Sequence, residues 1–340
     1  MNINLYMFFF LLMFSVIIGI NSISVFYFWV CMEVNMMSFI PIILYLENYY
    51  NDSAMKYFLI QSISSTILLF FLMMFYFYSI NLMMSMILLL VLLMKIGCFP
   101  FFYWYINMLS KMNWMNCLLL MTIQKVLLFY FYDNFIMYMN KMNKINLINL
   151  VNMFMLIIMM SSFMMLFVVM NVNSLKILLG VSSINHMSWL LLINLFSNKI
   201  FMIYFVIYMM ILINLVKVLN VFNINYLNQL YNFMNDYVFK LILMFNMSLM
   251  MSIPPFMGFF IKIMSINLFL SNLLTLVSFF LLLSSVIYLY LYMKMFIISL
   301  FFFNILIKFN FNIFNKIKYL YLIYMNILSI SMLSSFYWFM

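Results

Sequence analysis

Apolar blocks, each about as long as a membrane-spanning helix, follow one another along almost the whole chain. A helix needs about 20 apolar residues to cross a bilayer core, and short clusters of Asn, Lys, Ser and Asp separate the blocks. The blocks lie near residues 3–21, 25–46, 55–79, 82–105, 112–132, 146–170, 175–196, 200–220, 238–270, 275–301 and 319–339. The pattern predicts an all-α polytopic membrane protein of about eleven helices, folded as a single transmembrane domain over 1–340.

The composition supports a membrane location over a soluble one. Seventy percent of the residues are hydrophobic, 6% are charged and the mean hydropathy is +1.22, whereas about a quarter of the residues of a soluble domain are charged. The net charge of +10 comes from lysines scattered along the chain. Scattered lysines are typical of membrane loops and not of a nucleic-acid surface, so we expect lipid around the chain and no nucleic-acid partner.

The residue usage indicates a mitochondrial gene. Alanine occurs once, at Ala54, arginine is absent, and methionine occurs 43 times. Residues with GC-rich codons are therefore rare, and the many methionines suggest a second methionine codon. The first four residues contain no basic segment and no cleavage site follows, so we expect the first block to be kept as a helix of an inner-membrane protein.

The lysines also predict an orientation. With the N-terminus on one side, that side carries seven loop lysines and the opposite side carries three, and lysines favour the side on which the chain is made. We therefore expect the N-terminus on the matrix side. The seven are Lys56, Lys111, Lys176, Lys240, Lys308, Lys316 and Lys318, and the three are Lys141, Lys144 and Lys199.

Proline and glycine interrupt the fourth and ninth blocks, at residues 95–101 and 254–262, each beside a lysine. Broken helices at matching places in two halves indicate an ion site in a transporter built from inverted repeats. The fourth and ninth helices match if 3–132 and 146–301 are two five-helix repeats, followed by a final helix at 319–339. Because five is odd, the second repeat would be inverted. The alternative is that the breaks are kinks stabilised by neighbouring helices.

Ionisable side chains in the middle of apolar blocks are costly and usually face a cavity or a partner. Five residues qualify, namely Glu33, Lys95, Lys125, His186 and Lys262. Lys217 and Lys294 lie nearer the block ends, where a long side chain reaches the membrane surface. The five residues predict a site for charge transfer at membrane depth.

Lysine suits proton transfer because burial disfavours its charged form, whereas arginine stays protonated. A carboxylate about 6 Å away favours the charged form by on the order of 3 kcal/mol. We therefore expect Glu33 near Lys95, where its movement would switch the lysine between holding and releasing a proton. His186 is either a hydrogen-bonded core residue or a relay between the two halves. In the second case Ser182, Ser183 and Asn185 would hold water beside it.

No signature of a cofactor is present. Cys31, Cys98 and Cys117 lie singly in apolar blocks and are expected to be small core residues, with redox chemistry as the alternative. A single histidine excludes a haem held by two histidines of this chain, and the sequence has neither a glycine-rich phosphate loop nor four cysteines. We expect no cofactor and no metal in this chain.

Six segments, in order, resemble the antiporter-like membrane subunits of mitochondrial NADH:ubiquinone oxidoreductase, respiratory complex I, which are similar to subunits of cation/proton antiporters. The resemblance spans nearly the whole chain. The segments are WVCMEVNMMSFIP at 29–41, KYFLIQS at 56–62, MKIGCFPF at 94–101, LMTIQK at 120–125, VSSINHM at 181–187 and PPFMGFFIK at 254–262. The family usually has a histidine shortly after the first proline motif, where this chain has FFYW at 101–104.

The resemblance implies a role for each of the five ionisable residues. It makes Glu33 the channel glutamate, Lys95 the lysine of the first broken helix, Lys125 that of the next helix, His186 the central histidine and Lys262 the second-half lysine. It also implies an eleven-helix proton-translocating subunit of the inner-membrane arm. The implied partners are other complex I subunits, including neighbouring antiporter-like subunits, and other subunits would bind NADH and ubiquinone.

The resulting hypothesis is a Lys/Glu/His relay in two half-channels joined at the midplane. Redox chemistry in partner subunits would drive it, which makes the chain part of an NADH:ubiquinone reductase without a redox site of its own. One alternative is a free-standing monovalent cation/proton antiporter that uses the same lysines. A purely structural spacer is disfavoured, because a spacer needs no charges at membrane depth.

Overall fold

A computed structural model describes most of the chain, and within the described part the regular structure is helical. An isolated bridge joins Ser174 and Tyr226. The described residues are 3–22, 24–47, 52–77, 82–139, 144–169, 172–230, 237–254 and 256–301. Helices suit a chain of this composition because each helix satisfies its own backbone hydrogen bonds without water.

The chain divides into two compact units, Met1–Met165 and Leu166–Met340. In the first, α1 packs against α2, α2 against α3, and α3 against α4, while α7 packs against α1, α2 and α4. Its helices are α1 Ile3–Asn21, α2 Val25–Leu46, α3 Asp52–Phe77, α4 Leu82–Ile96, α5 Phe102–Lys111, α6 Trp114–Met121 and α7 Ile123–Met139, and α8 Lys144–Val169 begins in this unit and ends in the second.

In the second unit α9 is the central helix. It packs against α10, α12 and α13, and 17 of its 22 residues are buried. Several of its polar side chains, such as Ser182 and Asn185, are buried with the apolar ones. The helices are α9 Leu175–Phe196, α10 Asn198–Val221, a 3-10 turn at Leu227–Gln229, α11 Tyr237–Met251, α12 Met257–Ser271 and α13 Thr275–Phe301.

The predicted all-α polytopic fold is confirmed. Eight described segments are long and apolar enough to cross a membrane, and α4, α11 and α12 are shorter apolar helices. Ten of the eleven predicted blocks coincide with described helices. The block at 319–339 and Lys308, Lys316 and Lys318 lie outside the described residues, and the relation of the halves as inverted repeats stays a prediction.

Both predicted interruptions are present. α4 ends at Ile96 and α5 begins at Phe102, while α11 ends at Met251 and α12 begins at Met257. In the first break Gly97 has φ +79°, and in the second Ser252 has φ +58°. These backbone conformations end a right-handed helix.

A third interruption was not predicted. The block at 112–132 consists of two helices, α6 and α7, which meet at Thr122. Thr122 has φ −118° and ψ −83°, and its hydroxyl donates to the carbonyl of Leu118 at 2.6 Å. A threonine that bonds back to its own helix in this way often bends it. Lys125 therefore lies in the first turn of a new helix.

Candidate functional site

The first unit contains a polar cavity at membrane depth, which Glu33, Lys95 and Lys125 all line. The volume of the cavity is about 30 Å³. On the order of 15 Å³ of cavity volume holds one water molecule. The structure therefore brings together the three predicted ionisable residues of this half, in a space large enough for about two waters.

Lys95 lies in the last turn of α4 and is 6% exposed. Its Nζ donates to the thioether of Met32 at 3.6 Å, and the amide of Gln61 donates to its backbone carbonyl at 3.3 Å. Glu33, half-buried on α2, interacts electrostatically with Lys95 and with Tyr57. A weak sulfur acceptor thus contacts the lysine while the carboxylate acts on it through space.

Lys125 is 2% exposed, and its Nζ donates to the hydroxyl of Tyr105 at 3.1 Å. The same Nζ lies 4.5 Å from the centroid of the Tyr105 ring. Tyr105 is fully buried on α5 and lines the cavity. Sequence reasoning missed Tyr105, because nothing in the sequence distinguishes it from the other tyrosines of the chain.

The first break fits closely around Tyr105. A Cβ added at Gly97 would lie 2.7 Å from the Cβ of Tyr105, so the end of α4 and the first turn of α5 meet at a distance that only glycine allows. The break that follows Lys95 therefore also holds the tyrosine that contacts Lys125.

A hydrogen-bonded chain of neutral groups crosses the cavity wall. The hydroxyl of Tyr57 donates to the amide oxygen of Gln124 at 3.0 Å, and the amide nitrogen of Gln124 donates to the side-chain oxygen of Asn35 at 2.9 Å. These hydrogen bonds join α3, α7 and α2 through Gln124, the residue that precedes Lys125. Sequence reasoning did not select these three residues, although polar side chains at membrane depth are the signal that could have found them.

In the second unit His186 contacts two tyrosines of α10. Its Nδ1 and the hydroxyl of Tyr204 are 3.0 Å apart, and its ring lies 4.9 Å from that of Tyr208. Lys262 is half-buried on α12. His186 is thus held against α10 by both tyrosines.

The neighbours of His186 make hydrogen bonds between helices. The hydroxyl of Tyr292 donates to that of Ser182 at 2.7 Å, and the hydroxyl of Ser284 donates to the side-chain oxygen of Asn185 at 3.1 Å. Ser182 and Asn185 thus join α9 to α13, and that they hold water beside His186 stays a prediction. Such bonds stabilise helix pairs in a membrane.

The remaining candidates do not line the cavity. All three cysteines are buried and none of them forms a disulfide. Lys294 is exposed on α13 and Lys217 is half-buried near the end of α10. That both side chains reach the membrane surface stays a prediction. Among the described residues, no three His, Cys, Asp or Glu side chains come together as a metal site. That the chain holds no cofactor stays a prediction.

Most of the chain matches the model of a known family of membrane proteins. Residues 22–287 match the model for the transmembrane region of NADH:quinone oxidoreductase and Mrp antiporter subunits. NADH-ubiquinone oxidoreductase chain 2 of Artemia franciscana is 31% identical over 76% of this chain and 78% of its own length. Chain 2 of Anopheles gambiae is 33% identical over 74% of this chain and 73% of its own length.

Solved structures share the fold. A chain of respiratory complex I from Thermus thermophilus superimposes with a TM-score of 0.75 at 17% identity, covering 88% of this chain and 71% of that one. A chain of the Mrp complex from Dietzia sp. superimposes with a TM-score of 0.67 at 14% identity, covering 84% of this chain and 59% of that one.

Proposed function

We propose that this chain, which belongs to the family of transmembrane NADH:quinone oxidoreductase and Mrp antiporter subunits, is a proton-translocating membrane-arm subunit of NADH:ubiquinone oxidoreductase. The names of its relatives support the complex. The observation that carries the proton-transfer role is the cavity of the first unit, in which Glu33, Lys95 and Lys125 meet at membrane depth.

The cavity contains the parts that a proton relay needs. A buried lysine side chain can exist as an ammonium or as a neutral amine, whereas an arginine keeps its charge. Glu33 and Lys95 line the same cavity, so a change in the distance between the carboxylate and the amine would alter how firmly Lys95 holds a proton. The cavity has space for water, and this space and the hydroxyl of Tyr105 lie where they could connect the two lysines.

His186 and Lys262 are the proposed proton-carrying residues of the second unit. Imidazole exchanges protons near neutral pH, and the hydroxyl of Tyr204 orients its Nδ1. Lys262 follows the second helix break, as Lys95 precedes the first. A lysine therefore lies beside each break, before the first and after the second, which supports a role for both residues in proton transfer.

The energy for transport is proposed to come from partner subunits. Moving one charge against 100 mV costs about 2.3 kcal/mol, and the sequence has no signature of a redox centre that could supply it. Other subunits of the complex would bind NADH and ubiquinone. The residue usage supports the mitochondrial inner membrane, and the lysine distribution supports an N-terminus on the matrix side.

A free-standing monovalent cation/proton antiporter is the second candidate function. The likeness of the fold to a chain of the Mrp complex favours it. Transport by the isolated chain in liposomes distinguishes the two candidates. A free-standing antiporter exchanges cations for protons without partner subunits, whereas a membrane-arm subunit does not.

Substitution of Lys125 tests the proposed function. Lys125→Met keeps the volume and removes the titratable group, so we expect proton pumping and the NADH:ubiquinone rate to fall together by at least about tenfold. Lys125→Arg should be nearly as damaging because a guanidinium keeps its proton. Both rates are measured in membranes at matched content of the assembled complex.

Lys111→Met is the matched control, since Lys111 is an exposed lysine at the end of α5 and lies outside the cavity. It should leave both rates unchanged. Full activity of both Lys125 variants would make Lys125 a structural residue and remove the central step of the proposal.

A further inference from the structure

Tyr105 lies where the proposed function requires a connection between two lysines. It lines the same cavity as Lys95 and Lys125, and it contacts Lys125 directly. We infer that the hydroxyl of Tyr105 is a proton relay between Lys125 and the cavity water that leads to Lys95. This inference rests on the proposed function and adds a fourth residue to the three relay residues of this cavity.

The contact between Lys125 and Tyr105 has the geometry of a proton-transfer pair. The Nζ and hydroxyl oxygen are 3.1 Å apart, within the usual range for a hydrogen bond. Tyr105 is 0% exposed and Lys125 2% exposed, so lipid and bulk water are excluded from the pair. The ring, 4.5 Å from the Nζ, also stabilises the ammonium form.

The other hydroxyl groups that line the cavity donate elsewhere. Tyr57 donates to Gln124, and Ser65 donates to the backbone carbonyl of Ser62. Of the three hydroxyls in the cavity lining, that of Tyr105 is the one that bonds to a lysine amine. Proton transfer through a hydroxyl of this wall therefore uses Tyr105.

The transfer step leaves the phenol neutral. One N–H bond of the Lys125 ammonium breaks as its proton joins the Tyr105 oxygen, and the original O–H bond breaks as that proton passes to a cavity water. The water gives a proton to the neutral amine of Lys95, which becomes an ammonium, while Lys125 becomes an amine. Rotation about the C–O bond of Tyr105 then restores the starting hydrogen bond. The same bonds form and break in the opposite direction.

The fold holds Tyr105 in place for this step. A Cβ at Gly97 would lie 2.7 Å from the Tyr105 Cβ, so the ring is fixed against the break two residues after Lys95. The indole of Trp104, the preceding residue, donates to the carbonyl of Met94 at 3.0 Å. The first turn of α5 is thus attached to the end of α4 on both sides of Lys95.

Tyr105→Phe tests the relay because it removes the hydroxyl oxygen and keeps the ring. In membranes at matched content of the assembled complex, we expect the NADH:ubiquinone rate and proton pumping to fall by at least about tenfold. The ratio of the rates in H₂O and D₂O should rise, because the slowed step is the proton transfer itself. Tyr103→Phe is the matched control, since Tyr103 is 73% exposed on the same helix, and it should change neither quantity.

A double substitution shows whether Tyr105 acts through Lys125. If it does, Tyr105→Phe lowers the rate no further in a Lys125→Met background, because residues that act as one unit are not additive. A further loss in the double variant would overturn the inference. A lower rate with an unchanged isotope ratio would also overturn it, because this result indicates a structural role alone.

The outcomes separate this inference from the proposed function. An active Tyr105→Phe variant beside an inactive Lys125→Met variant overturns the relay and leaves the proposed function standing. Full activity in both single variants overturns both.

Discussion

Gly97 has a backbone conformation that other residues rarely adopt. It also packs closely against the side chain of Tyr105. The φ of +79° costs a residue with a Cβ about 1–2 kcal/mol. The added Cβ would also lie 2.7 Å from that of Tyr105. Any side chain at position 97 would therefore both strain the backbone and displace the ring that contacts Lys125.

Gly97→Ala should lower the NADH:ubiquinone rate at matched content of the assembled complex by several-fold, because the ring moves away from Lys125. The amount of assembled complex should fall as well. Gly19→Ala is the comparison at a glycine in ordinary helical backbone, in α1, where the added Cβ would meet the movable end of Leu127, which also lines the cavity. Equal effects of the two substitutions would show that the left-handed backbone at Gly97 has no special role.

At the scale of single residues, the sequence predicts the charges and not their contacts. Glu33, Lys95 and Lys125 were identified because a charge inside an apolar block is rare, and the structure places all three in one cavity. Tyr105 and Gln124 could not be identified in this way. Their roles depend on which face of each helix meets its neighbour, and an evenly apolar membrane helix carries little information about that face.

At the scale of helices, the sequence predicts interruptions made by proline and glycine. Both such breaks are present. The break at Thr122 was missed because threonine is ordinary in a membrane helix, and its effect depends on the hydroxyl bonding back to Leu118. The bonds that Ser182 and Asn185 make to α13 were missed for a similar reason, since their partners lie about 100 residues away.

Glu47 joins three helices at one end of the first unit. It follows α2 and is 8% exposed. Its carboxylate accepts from the Ser53 hydroxyl at 2.9 Å, from the Asn113 backbone N–H at 3.0 Å and from the Asn116 amide at 2.9 Å. The side chain of Asn113 donates in turn to the carbonyl of Leu46. A carboxylate is favoured here because the N-terminus of α6 carries a partial positive charge.

Glu47→Ala should destabilise the first unit by on the order of 3 kcal/mol, because it leaves several buried donors without an acceptor. We expect less assembled complex and a lower midpoint of its thermal inactivation. Glu47→Gln should be milder, since its amide oxygen still accepts from Asn113. Asp52→Asn, at an exposed acid of the neighbouring turn, controls for loss of charge alone. A loss in Asp52→Asn as large as in Glu47→Ala would refute the capping role.

At the scale of the whole molecule, the composition alone predicts the class of protein. The described helices confirm a polytopic all-α chain, because block length and apolar content are properties that no tertiary contact changes. Which face of the membrane each loop occupies is set by the charges of the loops. Lys56, Lys111 and Lys199 are exposed in the described part and lie at helix ends.

These three lysines provide a test of the orientation. If the N-terminus lies on the matrix side, as the lysine distribution predicts, Lys56 and Lys111 lie on the matrix side and Lys199 on the opposite side. A membrane-impermeant amine reagent applied to inside-out inner-membrane vesicles should therefore modify Lys56 and Lys111 more than it does in mitoplasts, and Lys199 less. The modified peptides are quantified by mass spectrometry, and each lysine is compared with itself between the two preparations, so shielding by neighbouring subunits cancels.

Reversal of all three ratios would place the N-terminus on the other face. Modification of Lys56 and Lys199 from the same face would mean that the number of crossings between them is even, which contradicts the five predicted from the blocks between them.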